Sequence, residues 1–397
     1  MKPTLLLAAL LFAAWCGPCS LAQEAPKPFP ETNPQAEPPS QPTEGPGSTA
    51  YAHAAVETHD QGVGGEHFWV YTPAEPRPAK APVVCFVHGY GALEPEPYLG
   101  WLKHICRRGA IVIYPQYQAH GLEPTSNYAP NSAKAVLEAF AWLEADQQRV
   151  QPDKDKFAIV GHSAGGMTTG NLAADWETLK LPKPRAAMPV QPGRAFSYTA
   201  AAQKNGLIPL SDFARIPADC LLLPVFGDSD ATVGAWCARK IFADASAVKP
   251  ENKNLVEFRS CLYCSQRLVA HHTTPAATVE EHDALDWYGY WKLLDGLTDA
   301  AFHGKNREYA LGNTEKQRFM GKYSDGRPVC ELSVTLGDAK VDPDQAYEPR
   351  YARDGSPFNN GPKRREERPR REAPPEEPRK REEKPAPAPE GEREEEF

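Results

Sequence analysis

A long apolar run is the first thing missing from these 397 residues. The apolar stretch at residues 5–15 is too short for a bilayer, which takes about 20 residues, so no transmembrane segment is expected. An excess of positive charge is missing too. Lys and Arg number 44 against 52 Asp and Glu, a formal net charge of −8, which argues against nucleic acid as a partner. A paired metal motif is also lacking. Cys261-Leu262-Tyr263-Cys264 is a C-x-x-C without a second such pair downstream. With His271 and His272 it could be drawn as a zinc site, but a lone C-x-x-C in an exported chain favours disulfide chemistry or free thiols, and no metal or cofactor is expected.

The ends of the chain lack apolar periodicity. Residues 1–22 carry Lys2, the apolar stretch and a small-residue end at Ser20-Leu21-Ala22, the pattern of a secretory signal peptide cleaved near Ala22. The expected location is therefore secreted or periplasmic. Trp15-Cys16-Gly17-Pro18-Cys19 spells a thioredoxin redox motif, but it falls inside this leader rather than at a strand-to-helix turn, so it reads as coincidence. Residues 23–50 are rich in Pro, Glu, Gln and Thr and read as a disordered linker. Residues 342–397 lose apolar content again, and residues 363–397 mix Arg, Lys, Glu and Pro in short blocks. That composition predicts a disordered, solvated polyampholyte tail, with contact to a cell-envelope polymer as its candidate role. The two flanks carry many of the 41 prolines.

Between them, residues 51–341 are expected to form one domain. Seven cysteines remain after the leader: Cys85, Cys106, Cys220, Cys237, Cys261, Cys264 and Cys330. The number is odd, and spacing alone does not give a pairing. Cys85 and Cys220 lie in apolar runs and read as core residues.

Strand-like and helix-like segments alternate through this region. Strands are expected at residues 66–72, 82–87, 109–114, 157–160, 186–190, 220–226 and 254–259. Helices are expected at 96–108, 131–148, 232–243 and 279–297, and after the fourth strand. Apolar strands separated by helices imply a mostly parallel sheet covered on both faces, with sites at the strand C-terminal ends. Gly161-His162-Ser163-Ala164-Gly165-Gly166 sits where a strand turns into a helix. A G-x-S-x-G in that context is a nucleophile elbow: a tight, strained turn that lifts a serine hydroxyl above the sheet edge and aims helix N–H groups at what binds there.

The order of elements and this elbow resemble the α/β-hydrolase family. The loop His88-Gly89-Tyr90-Gly91 and the elbow itself look most like the branch holding dienelactone hydrolases, chlorophyllases and bacterial polyester hydrolases. The resemblance implies an α/β-hydrolase fold, with a mostly parallel central sheet and helices on both faces. It also implies a chain order of Ser, acid, His. On that order Ser163 is the nucleophile. The acid falls on Asp230 within Gly227-Asp228-Ser229-Asp230-Ala231-Thr232-Val233, with Asp228 as the alternate; either could instead cap the following helix. His272 is the expected base, His271 the alternate and His282 a more remote candidate. The oxyanion donors fall on the amides of Ala164 and Tyr90. His88 is expected to hold the loop rather than transfer protons, and Tyr98 and Trp101 read as packing residues.

These expectations describe a secreted serine hydrolase acting on a small-molecule or polymeric carboxylic ester, with no cofactor. The alternative is a non-catalytic binding or scaffold protein that keeps the fold without turnover.

Overall fold

Strand residues of alternating parity feed two separate cores, and that division determines the architecture. The structure is a computed structural model that describes residues 32–63, 67–119, 122–276 and 281–359. The expected leader and its C-x-x-C, and the tail from residue 360 onward, lie outside these residues.

The strands are β1 (Ala55–Gln61), β2 (Phe68–Ala74), β3 (Lys80–Val87), β4 (Ile111–Pro115), β5 (Gln151–His162), β6 (Pro184–Val190), β7 (Leu221–Leu222), β8 (Val225–Gly227), β9 (Asn254–Phe258) and β10 (Ser333–Leu336). Among the described residues they make one sheet in the order β1-β2-β4-β3-β5-β6-β8-β9-β10, with β7 beside β6. Pairing from β4 through β9 is parallel, whereas β1, β2 and β10 add antiparallel edges. This is the expected mostly parallel sheet of an α/β-hydrolase fold.

Side chains alternate across a strand. Val84, Phe86, Ala158 and Val160 therefore face one side, where α1 (Leu99–Arg107) contributes Trp101 and Leu102 and α6 (Lys292–His303) contributes Leu293 and Leu297. Val83, Cys85, Val87, Phe157 and Ile159 face the other. There they meet α2 (Tyr128–Glu144), α3 (Ala164–Ala174) and α5 (Trp236–Asp244), through residues such as Val136, Met167 and Ile241. A strand segment buried on both faces needs apolar residues at every position, which is why residues 82–87 of β3 and 157–160 of β5 read as unbroken apolar runs rather than alternating ones. The shorter α4 (Ala200–Lys204) lies in the irregular insert after β6.

The packed body runs past the expected limits at Tyr51 and Val341. Ala36 joins the first core, the Asn33 amide donates to the Tyr263 carbonyl at 2.8 Å, and residues 342–358 hydrogen-bond to the loops after β8. Proline-rich composition excludes a core of the segment's own. It does not exclude laying the backbone over a core already built by others. The final helix also differs from its expected 279–297 span. A turn of wider π geometry at Asp286–Trp291 leads into α6, which ends at His303 with Gly304 in the left-handed region. The expected strand at residues 220–226 divides into β7 and β8 around Leu223-Pro224, because proline brings no N–H to a sheet.

Cys261 and Cys330 form a disulfide, with Cα atoms 5.5 Å apart, joining the loop after β9 to the approach to β10. Cys264 stays a thiol. Spacing alone left this pairing open.

A buried carboxylate ties the N-terminal segment down. Asp295 Oδ2 accepts from the Gly47 amide at 2.7 Å, and lies 2.9 Å from His104 Nε2 and 3.1 Å from Arg108 Nε. Burial alone would raise its pKa, yet His104, Arg108 and the Gly47 N–H together hold it below the ordinary value. The stabilisation is therefore complete above a pH of about 4, where the unfolded carboxyl ionises, and is lost as pH falls through the lower folded value. Asp295→Ala leaves the Gly47 amide and His104 Nε2 without their buried acceptor, while Arg108 keeps Asp299, and should cost about 2–3 kcal/mol in urea denaturation at neutral pH, with much of that difference gone in strong acid.

Candidate active site

Ser163 follows the last residue of β5 and precedes the first of α3, at φ 59° and ψ −121°. Non-glycine residues rarely occupy positive φ, and the conformation persists only where the surroundings over-determine it. Here the Ser163 amide donates to the Val190 carbonyl at 3.0 Å, and its carbonyl accepts from the Gly193 amide at 3.1 Å, pinning the turn to β6 and its loop. Gly165 supplies the clearance: a Cβ there would lie 2.1 Å from the Val87 carbonyl oxygen. The two sequence expectations, strand before and helix after, are thus joined by a strained corner.

Two loops from distant parts of the chain complete the site. His272 Nε2 lies 2.8 Å from Ser163 Oγ, and His272 Nδ1 lies 2.8 Å from Asp230 Oδ2. A carboxylate only accepts, so Nδ1 carries the proton and Nε2 is left to accept from the serine hydroxyl. Asp230 is fully buried. Its second oxygen accepts from the amides of Thr232 and Val233, each at 2.9 Å. It therefore also caps a turn, although α5 begins only at Trp236.

The alternates lie elsewhere. Asp228 is spent on Ser229 Oγ at 2.8 Å, on Ser260 Oγ at 2.5 Å and on the Ser260 amide at 3.0 Å, a knot joining the ends of β8 and β9. The ring of His271 turns away to Thr273, and burial pushes its pKa down to about 4, with Arg353 nearby adding to the effect. His282 packs edge-on against Trp291. The four residues of the drawn zinc site are not assembled together: Cys261 is bonded to Cys330, and His272 faces Ser163.

Tyr90 and Ala164 both line a cleft of about 280 Å³ that opens on Ser163. Ala164 is the first residue of α3, where a helix offers N–H groups without intrahelical partners. The amides flanking Tyr90 are fixed by side chains, Gly89 N–H to Tyr98 Oη and Gly91 N–H to Gln118 Oε1, each at 3.0 Å. His88 is buried, stacks on Tyr117 with ring centroids 4.2 Å apart, and lies 2.7 Å from the Gly89 carbonyl through Nδ1. Burial lowers its pKa to about 4, so it holds the loop as a neutral ring. Trp101 is a core residue, as expected.

Several residues that matter here escaped the sequence reading. His162 Nε2 lies 2.8 Å from the His272 carbonyl, and its Nδ1 lies 2.9 Å from Tyr98 Oη. Burial, with His272 nearby, drives its pKa well below the ordinary value. The ring is therefore neutral: Nε2–H donates to the carbonyl, and Nδ1 accepts from the Tyr98 hydroxyl. Since Tyr98 in turn accepts from Gly89, one directed chain of hydrogen bonds links the Tyr90 loop, the elbow and the histidine loop. Tyr98 is more than packing. Only the position of His162, beside Ser163, hinted at this role. Gln191 adds a second tie, donating through Nε2 to the His271 carbonyl at 3.0 Å.

Among the described residues no helix is long and apolar enough to cross a membrane. Residues 45–199 match the chlorophyllase family model, a family of the α/β-hydrolase superfamily, in agreement with the branch suggested by the sequence. That interval contains Tyr90, Ser163 and Ala164 but neither Asp230 nor His272. No curated protein matches the chain. Likeness to chlorophyllases within this fold indicates a hydrolase.

The histidine loop passes so near the acid loop that a Cβ on Gly227 would lie 2.2 Å from the Ala270 carbonyl oxygen. Gly227→Ala should therefore displace the loop that carries His272. The expected result is a cost of about 1–3 kcal/mol in unfolding experiments and lowered hydrolysis of any ester the parent cleaves.

Proposed function

We propose that the protein is a secreted carboxylic-ester hydrolase that works through an acyl-enzyme on Ser163. The observation that carries this reading is the unbroken line from Asp230 through His272 to Ser163, with 2.8 Å at each junction, drawn from residues far apart in the chain. A serine hydroxyl is a poor nucleophile until a base takes its proton, and this arrangement supplies the base and the carboxylate that fixes its tautomer. Ser163 Oγ attacks the ester carbonyl while His272 Nε2 receives the proton. The buried carboxylate of Asp230 stabilises the imidazolium that forms. The amides of Ala164 and Tyr90 hold the developing oxyanion. His272 then returns the proton to the leaving alkoxide, the alcohol departs, and water activated by the same ring releases the acid and restores Ser163.

The cleft narrows the choice of substrate. Its two charged residues are occupied in holding loops: Arg194 donates to the carbonyls of Ile208, Gln203 and Lys204, and Glu123 accepts from Asn127 and Asn131. What faces the incoming group is largely apolar, from Phe196, Leu207, Ile208 and Val233. A neutral apolar acyl group fits this lining. The volume of about 280 Å³ lies at the small end of ligand sites, which run from about 300 to 1,000 Å³, and favours a short or medium chain. The Cys261–Cys330 disulfide supports an oxidising compartment, in keeping with export.

A fluorophosphonate probe should label Ser163 in the folded protein, and Ser163→Ala should lower hydrolysis of p-nitrophenyl butyrate by at least about 1,000-fold. An unlabelled serine would overturn the mechanism. The two histidines give an independent check. His272→Ala should cost as much as loss of the serine, whereas His271→Ala should stay within about threefold of the parent, as for residues outside the reacting set. Equal losses at the two positions would contradict the assignment.

A further inference from the structure

The turn that carries Asp230 is closed only weakly by its own backbone. In Gly227-Asp228-Ser229-Asp230 the Asp230 amide lies 3.5 Å from the Gly227 carbonyl, long for a backbone hydrogen bond. A side chain from 117 residues later stands beside it. Tyr347 Oη accepts from the Asp230 amide at 2.8 Å and donates to the Gly227 carbonyl at 2.6 Å. One hydroxyl satisfies both ends of the turn and sets its width. Asp230 has no slack with which to absorb a change in that width, because one carboxylate oxygen is tied to the amides of Thr232 and Val233 and the other meets His272.

Tyr347 is itself held. It belongs to residues 342–358, which run back across the loops after β8. Trp236 Nε1 donates to Asp344 Oδ1 at 2.8 Å, Arg239 donates to the Gln345 carbonyl at 2.7 Å, and the Arg350 amide donates to the Asp228 carbonyl at 2.9 Å. The Tyr347 ring meets Phe226 edge-on, with centroids 6.3 Å apart. The segment thus grips the acid loop on both sides of the turn. It lies outside residues 45–199, which match the chlorophyllase family model.

We propose that Tyr347 is a positioning residue for turnover, whose hydroxyl sets the Asp230 carboxylate on His272 and makes the segment 342–358 part of the working enzyme. This rests on the reading of Asp230 as the acid of the proposed ester hydrolase. It predicts an effect on the chemical step and little on substrate capture, because Tyr347 is not among the residues lining the cleft.

The experiment uses the full chain with four changes: Tyr347→Phe, Asp230→Asn, the two combined, and Arg350→Ala. Each is titrated with the fluorophosphonate so that kcat refers to folded, competent serine, and each is assayed on p-nitrophenyl butyrate. Tyr347→Phe keeps the ring and should lower kcat about ten- to a hundredfold, as a small misplacement of a catalytic group does, with KM within about twofold. In the Asp230→Asn background the same change should lower kcat less than about twofold, since its effect passes through the carboxylate. Arg350→Ala keeps the backbone bond to Asp228 and removes only the half-exposed guanidinium 3.7 Å from the Asp228 carboxylate, leaving the Tyr347 closure intact, and should stay within about twofold of the parent. Unchanged kcat in Tyr347→Phe, an undiminished loss in the Asp230→Asn background, or an equal loss in Arg350→Ala would each overturn the proposal. If Asp230→Asn itself left kcat unchanged, the acid assignment would fall instead, and with it the premise.

Discussion

Everything about the site depends on one unfavourable backbone conformation being held in place. Ser163 sits at positive φ because β5 must end and α3 must begin within a single residue, and the corner survives because hydrogen bonds to Val190 and Gly193 grip it on both sides. The parallel sheet makes this possible. It brings the C-terminal ends of β3, β5, β6 and β8 to one edge, so the loops after these strands have no choice but to meet. The strain at the corner is opposed by the burial of two apolar cores, one on each face of the same strands.

Around that corner the loops are fastened to each other more than to the sheet. His162 reaches from the elbow to the carbonyl of His272, and Gln191 reaches from the end of β6 to the carbonyl of His271. Both ties go to backbone oxygens of the histidine loop. They fix where the loop lies while leaving the ring nitrogens of His272 for Asp230 and Ser163. Asp228 and Ser260 anchor the same loop from below, through Ser260 Oγ and the Ala270 amide at 3.0 Å. The two neighbouring acids thus divide the labour: one is saturated by hydroxyls and a backbone amide, and the other keeps an oxygen for an imidazole.

The alternation of strands and helices was plain in the sequence because a strand buried on both faces leaves an unbroken apolar run. The antiparallel edges β1 and β10 were not foreseen. β1 exposes Thr58 and Asp60 between half-buried residues and β10 is only four residues long, so no apolar run marks them, and partners across the sheet complete them. The ordered flanks were misread for a related reason. Residues 32–50 and 342–358 cannot bury a core of their own, and a composition argument sees only that. What orders them is a surface made by other residues, such as the carboxylate of Asp295 or the loops after β8.

Sequence alone determined which chemical groups this protein brings and roughly where each one sits along a strand-turn-helix register. Ser163 in its glycine-flanked elbow, Asp230 after the β8 strand, and a histidine pair after the last parallel strand are all properties of local pattern. Which member of each pair faces the serine was decided only by the fold. Asp228 and Asp230, or His271 and His272, share a type and nearly a position, and they differ in the direction a loop gives their side chains. That direction comes from contacts such as Gly227 against Ala270 and Tyr347 across the Gly227–Asp230 turn, between residues 43 and 120 positions apart. Local preference has no term for such contacts, because they exist only once the chain has closed on itself.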